Sequence, residues 1–215
     1  MIEVFGFDLD GTLYDDRQYI YSGFVESARL IRSKYSIDIL PDLVEEYFEN
    51  KNYKNVFDVV VSKNSLPEGI IPKLIEKYHE NDGALTPYPD IYPILERLAQ
   101  SYKVVLISDG KNGHQKVERL GLNNYFDHIL ITPNHGTSKG DRAPFSLMAD
   151  YLNTEFDEMA YVGDNPYVDF HWPQRLGMFT VWVRRPSILH GSGDLWTEPE
   201  YCINSLWELE ETVLV

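Results

Sequence analysis

Apolar, β-branched runs bounded by Gly, Asp or Ser recur along the chain at Glu3–Phe7, Lys103–Ile107, His128–Ile131, Met159–Val162 and Phe179–Val183. Runs of this length and composition read as buried strands. Between the later ones the apolar spacing lengthens to a helical period, at Val117/Leu120 after Gln115, Leu147/Leu152 after Pro144, and Val168/Leu176. Strand–helix–strand alternation on this scale predicts an α/β fold, a parallel sheet with right-handed crossovers and helices on both faces.

The first interval breaks that rhythm. About 95 residues separate the first strand from the second, where a crossover with its helix needs about 30. A helix over Ile91–Leu98, entered through Pro87-Tyr88-Pro89-Asp90, suffices for the crossover. The surplus carries helical stripes of its own: Ile20, Phe24, Ala28, Ile31 and Tyr35, then Leu43/Tyr47, then Ile70/Ile71/Leu74/Ile75/Tyr78. The expected organisation is a sheet domain formed by residues 1–14 and 87–215, with residues 15–86 inserted as an all-α subdomain. An insertion at that point hangs over the strand ends where parallel sheets bind ligands.

Composition narrows the partners. The balance of 43% hydrophobic and 25% charged residues is that of an ordinary globular protein. Nineteen Lys+Arg against 34 Asp+Glu give a net charge of −15. Such a surface repels polyphosphate backbones and anionic headgroups, which argues against a nucleic acid polymer or a membrane as partner. A single nucleotide in a pocket remains compatible with it. One cysteine, Cys202, cannot form an internal disulfide. The start, Met1-Ile2-Glu3-Val4, lacks a basic-then-apolar layout, and no apolar run approaches the ~20 residues of a membrane span. The expectation is a cytoplasmic protein, with its oligomeric state left open.

The chemistry concentrates at the strand ends. The first strand closes in Asp8-Leu9-Asp10-Gly11-Thr12-Leu13, two carboxylates at i and i+2 where a parallel strand leaves its sheet. Asp-Gly by itself is ordinary turn chemistry; the whole sequence directly after a buried strand is far more specific. A second pair, Asp164 and Asp169, follows the fourth strand. Convergence of the two pairs would crowd like charges and call for a cation. Oxygen-only ligands select a hard one, and Mg2+ suits best because it retains waters and accepts a phosphate oxygen. Ser108, ending the second strand with Asp109-Gly110, adds a hydroxyl and backbone N–H groups, and Lys139 adds a positive charge.

Asp8-Leu9-Asp10-Gly11-Thr12-Leu13, Ser108, Lys139 and Gly163-Asp164…Asp169 resemble the four ordered motifs of the haloacid dehalogenase (HAD) superfamily. Gln115–Asp127 and the ending Tyr201–Leu209 are similar to its members as well, so the resemblance covers the whole chain. It implies a Rossmann-like core with a helical cap after the first motif. It further implies Asp8 as nucleophile and Asp10 as acid and base, with Ser108, Asp109 and Lys139 at the phosphate. Mg2+ would be held by Asp8, the Asp10 carbonyl and Asp164, with Asp169 in support. Two departures stand out. Lys139 precedes Gly140 where the family usually has Pro, which leaves Arg142 as a rival cation. Position 109 is Asp where many members have Asn.

The implied activity is hydrolysis of a small phosphorylated metabolite. Sugar phosphates and nucleoside monophosphates both remain open, since the aromatic half-chain Tyr14, Tyr19, Tyr21, Tyr47, Phe48, Tyr53 and Phe57 reads mainly as packing. Dehalogenases of the superfamily need no second aspartate, so Asp10 argues for phosphate. A phosphomutase shares all four motifs. A receiver-type signalling module is about half this length, and an inactive scaffold would have lost a motif residue. Arg184 to Pro199, with His190, Gly191, Gly193 and Trp196, reads as a loop decorating the sheet edge.

Overall fold

The computed structural model describes residues 1–186 and 196–213. The described chain divides into two compact units, Met1–Asp16 with Leu85–Val215, and Arg17–Ala84.

The first unit is built on a six-stranded sheet: β1 (Val4–Phe7), β2 (Lys103–Ser108), β3 (His128–Ile131), β4 (Met159–Gly163), β5 (Phe179–Val183) and β6 (Tyr201–Ile203). Every neighbouring pair is parallel, in the order β3-β2-β1-β4-β5-β6. The chain steps one way from β1 to β3 and the other way from β4 to β6, so the order reverses between β1 and β4. Right-handed crossovers therefore put helices on both faces. The central strands read as uninterrupted apolar runs because both faces are covered. Phe5 and Phe7 of β1 are fully buried, each stabilising the fold by about 1.5–3 kcal/mol.

The helical unit contains α1 (Arg17–Tyr35), α2 (Leu40–Val44), a π-turn over Glu45–Glu49, α3 (Val56–Lys63) and α4 (Ile71–His79). On α1 the expected stripe is buried at Ile20, Phe24, Ala28 and Ile31. Phe24 anchors an aromatic cluster, its ring 5.4 Å from Tyr47, 6.1 Å from Phe57 and 5.7 Å from Tyr78. These aromatics are packing residues; Tyr47 and Phe57 meet Phe24 edge-on, which suits their ring quadrupoles, and Tyr78 is tilted against it.

Back in the sheet unit, α5 (Ile91–Leu98), α6 (Gly113–Arg119), α7 (Ala143–Leu152), α8 (His171–Leu176) and α9 (Leu209–Val213) complete the fold. Three expectations are corrected. Leu147 is 43% exposed; with Phe145, Met148 and Ala149 turned into the core, the 3.6-residue period carries position 147 to the outer face. Ile75 is exposed for the same reason, beside the buried Leu74. Val168 precedes α8, in a turn whose amide bonds back to the Asn165 carbonyl. β2 also runs one residue further than its apolar run, so Ser108 is paired in the sheet opposite Ile131.

Candidate active site

The reversal between β1 and β4 leaves a crevice beyond their carboxyl ends, the usual ligand position in an open parallel sheet. Asp8 follows β1 directly, and its amide still bonds to the Val162 carbonyl of β4 at 2.9 Å. The chain then turns sharply, with Leu13 N–H bonded to Leu9 carbonyl and Gly11 at φ +81°. A side chain at position 11 would be strained in that conformation, and its Cβ would lie 2.4 Å from Asp164 Oδ2. Glycine is thus what lets the loops after β1 and β4 approach. Gly163 works alike on the other loop: a Cβ there would lie 2.4 Å from Asp169 Oδ2.

Asp8, Asp164 and Asp169 are all buried, and one carboxylate oxygen from each lies within 4.8 Å of the other two. Thr12 Oγ1 lies 3.1 Å from Asp164 Oδ1 and 3.3 Å from Asp8 Oδ2. Lys139, 5% exposed, reaches Asp8 Oδ1 at 2.5 Å and Asp169 Oδ1 at 2.6 Å. Asp169 also accepts the Asn165 N–H at 2.8 Å, and the Trp182 indole donates to the Asp164 carbonyl. Burial pushes the Asp8 carboxyl well above its ordinary range, with Asp169 and Asp164 adding to the shift against the pull of Lys139. Burial works against the Lys139 ammonium, yet Asp169 and Asp8 hold its pKa well above normal. Three clustered carboxylates facing one lysine are short of positive charge, and their donors are all oxygen. That donor set fits a hard divalent cation such as Mg2+.

Asp10 stands apart from this trio. Its Oδ1 accepts from the Tyr14 hydroxyl and, at 2.7 Å, from Lys116 Nζ. Burial raises its pKa, but Lys116, Tyr14 and Lys139 together bring it below the ordinary value. Ser108 is buried at the end of β2, its hydroxyl accepting the Gly110 N–H at 3.2 Å. The Asp109 carboxylate accepts from Thr132 Oγ1 at 2.6 Å and from the Lys139 amide at 2.9 Å. Its side chain therefore fixes the loop that presents Lys139, through one oxygen that an asparagine would also supply. Arg142 is exposed and lies 3.3 Å from Ser146 Oγ on its own helix, so Lys139 is the cation at Asp8.

Motif reading missed Lys116, 7% exposed and buried with Val117 on the inner face of α6. The signal was a lysine at i and i+4 with Leu120, on an otherwise apolar stripe. It also missed Tyr14 and the buried Asp16. On the loop after β5, Arg185 pairs with Asp90, and Trp196 packs on Tyr167 and Trp182 with ring centroids at 5.2 and 5.5 Å. Trp196 therefore borders the Asp164 loop instead of decorating an edge. His190, Gly191 and Gly193 lie outside the described residues.

Comparison with known proteins places the chain among relatives. Glyceraldehyde 3-phosphate phosphatase of Pyrococcus abyssi is 30% identical over 204 residues, spanning 86% of this chain and 82% of its own. The Escherichia coli 5-amino-6-(5-phospho-D-ribitylamino)uracil phosphatase is 26% identical over 204 residues, spanning 85% and 84%. A HAD phosphatase from Thermococcus onnurineus has a similar fold, with a TM-score of 0.67 at 24% identity over 98% of this chain and 97% of that one. A family model described as haloacid dehalogenase-like hydrolase matches residues 6–183, and the chain belongs to that family.

Proposed function

We propose that this protein is a phosphatase that hydrolyses small phosphate monoesters in two steps. The observation that carries the reading is the buried Asp8–Lys139–Asp169 ion-pair network beside Asp164 at the β1/β4 crevice. It is supported by relatives that are themselves named as phosphatases of small metabolites. In the first step an Asp8 oxygen attacks phosphorus in line, the ester P–O bond breaks, and Asp10 gives a proton to the departing oxygen. In the second, Asp10 takes a proton from water as that water attacks phosphorus, releasing Asp8 and inorganic phosphate. Ser108, the backbone at Asp109 and Lys139 hold the phosphoryl oxygens.

Asp8, the Asp10 carbonyl and Asp164 would hold Mg2+, with Asp169 supporting them. When bound it would supply the charge neutralisation that lets an anionic nucleophile meet an anionic ester. Glyceraldehyde 3-phosphate and related sugar phosphates head the list of substrates to try, with nucleoside monophosphates next.

The test uses the purified protein. It should hydrolyse para-nitrophenyl phosphate with Mg2+ and lose that activity with chelator or with Asp8→Asn. Activity without metal, or surviving Asp8→Asn, would sink the mechanism. A panel of phosphorylated metabolites read by phosphate release then ranks substrates. Conversion to an isomeric phosphate with no free phosphate would indicate a mutase instead.

A further inference from the structure

Lys116 comes from α6, outside the four motifs, yet its ammonium sits at the site. A Cβ built on Gly110 would lie 2.9 Å from Asp10 Oδ2, 3.2 Å from Lys116 Nζ and 3.5 Å from Ser108 Oγ. The ammonium thus meets, beside Gly110, both the hydroxyl assigned to the phosphoryl group and the carboxyl assigned to the departing oxygen. The Lys116 side chain is 8% exposed, whereas that of Asp10 is 28% exposed. The lysine is the more buried partner of the pair, and the Asp10 side chain keeps partial access to solvent. Lys116 and the Tyr14 hydroxyl both bond to Oδ1. Two donors on one oxygen fix the plane of the carboxyl and direct proton traffic to Oδ2, the oxygen nearest Gly110.

Resting on the phosphatase reading, we propose that Lys116 is a positioning residue that fixes Asp10 for proton transfer to the departing oxygen. Burying a lysine is costly, and an apolar side chain would anchor α6 to the sheet as well. The position makes sense if the ammonium is needed where it points. In the step concerned, the ester P–O bond breaks and its electron pair goes to the departing oxygen; a proton that Asp10 Oδ2 takes up from solvent when the anionic ester binds beside it closes that oxygen as a hydroxyl. A displaced Asp10 would slow this in proportion to how badly the departing group needs a proton.

The leaving-group dependence of kcat/KM reads that, because kcat/KM covers the steps up to and including the one in which the ester bond breaks and not the hydrolysis that follows. The two probes are para-nitrophenyl phosphate, whose phenolate departs unaided, and the alkyl phosphate that the unaltered protein turns over fastest. Lys116→Met is expected to lower kcat/KM on the alkyl ester about 100-fold, and on the aryl ester only about threefold. Lys116→Arg should recover part of the alkyl activity. Lys139→Met, which acts on the phosphoryl group, should depress both esters alike. Equal losses on the two esters in Lys116→Met, or no loss on either, would overturn the assignment while leaving the phosphatase reading intact. No turnover of either ester by the unaltered protein would overturn both. Should Lys116→Met fail to fold, as judged by its thermal transition, Lys116→Gln gives the same ratio with a smaller packing change.

Discussion

Individual side chains in this site are held far from their solution behaviour. Asp16 is buried, and burial together with Asp10, Asp164 and Asp15 raises its pKa to about 7. In an unfolded chain an aspartate titrates near 3.9. Between about pH 4 and 7 the folded protein therefore keeps a proton that the unfolded chain has lost. The stability due to this group is full below pH 4 and is lost as pH rises through 7. Asp16→Asn, which needs no proton to stay neutral, should raise stability at pH 8 by on the order of 2 kcal/mol and leave pH 4 unchanged. Thermal unfolding in chelator at both pH values checks this. Asp16 was not legible as a special residue, because its neighbours Asp10 and Asp164 act on it through space. Lys139 was legible, by its distance from the following helix; Lys116 stands on an apolar stripe with no motif around it to mark it.

Elements here are shaped by small residues at contact points. In the helical unit, α1 approaches α4 over Gly23, where a Cβ would lie 2.4 Å from the Tyr78 ring. Four residues on, Ser27 Oγ donates to the Leu74 carbonyl at 3.0 Å, so the two helices touch through a glycine and a serine. Gly23→Ala improves helix propensity by about 1 kcal/mol but forces an overpacked contact of about 1–3 kcal/mol. A net loss of up to about 2 kcal/mol is expected, read as a lower denaturant midpoint. The α1 stripe gave away the helix and its buried face, because a 3.6-residue period is a local property. It did not reveal that Gly23 is a contact point. A glycine in a helix carries no sign of what lies opposite.

Across the whole sheet unit, one carboxylate ties distant segments together. Asp90, at the start of α5, receives Arg185 Nη2 on both oxygens at 2.8 and 2.9 Å, Ser205 Oγ at 2.7 Å and the Leu206 amide at 2.8 Å. Burial raises its pKa, and Arg185 with Ser205 and Leu206 brings it below the ordinary value. A carboxyl depressed in this way stabilises the fold above about pH 4, and that contribution is lost as pH falls through its folded pKa. Asp90→Ala should cost about 3–5 kcal/mol at pH 7 by leaving Arg185 buried without a counter-ion. The variant should also lose less stability than the unaltered protein between pH 5 and pH 3, as read by urea unfolding at both.

The sequence determined the α/β class, most strand positions, the inserted helices and the two aspartate pairs. Those features rest on spacing along the chain: period 2 or 3.6 within elements, and i, i+2 at the exit of a strand whose direction the parallel sheet fixes. Tertiary structure decided which charges meet. Lys139 and Asp8 are 131 positions apart and Lys116 and Asp10 are 106 apart. No local period encodes such a pairing. It exists because parallel crossovers return successive strand ends to the same edge, where burial removes the water that would otherwise screen one charge from another.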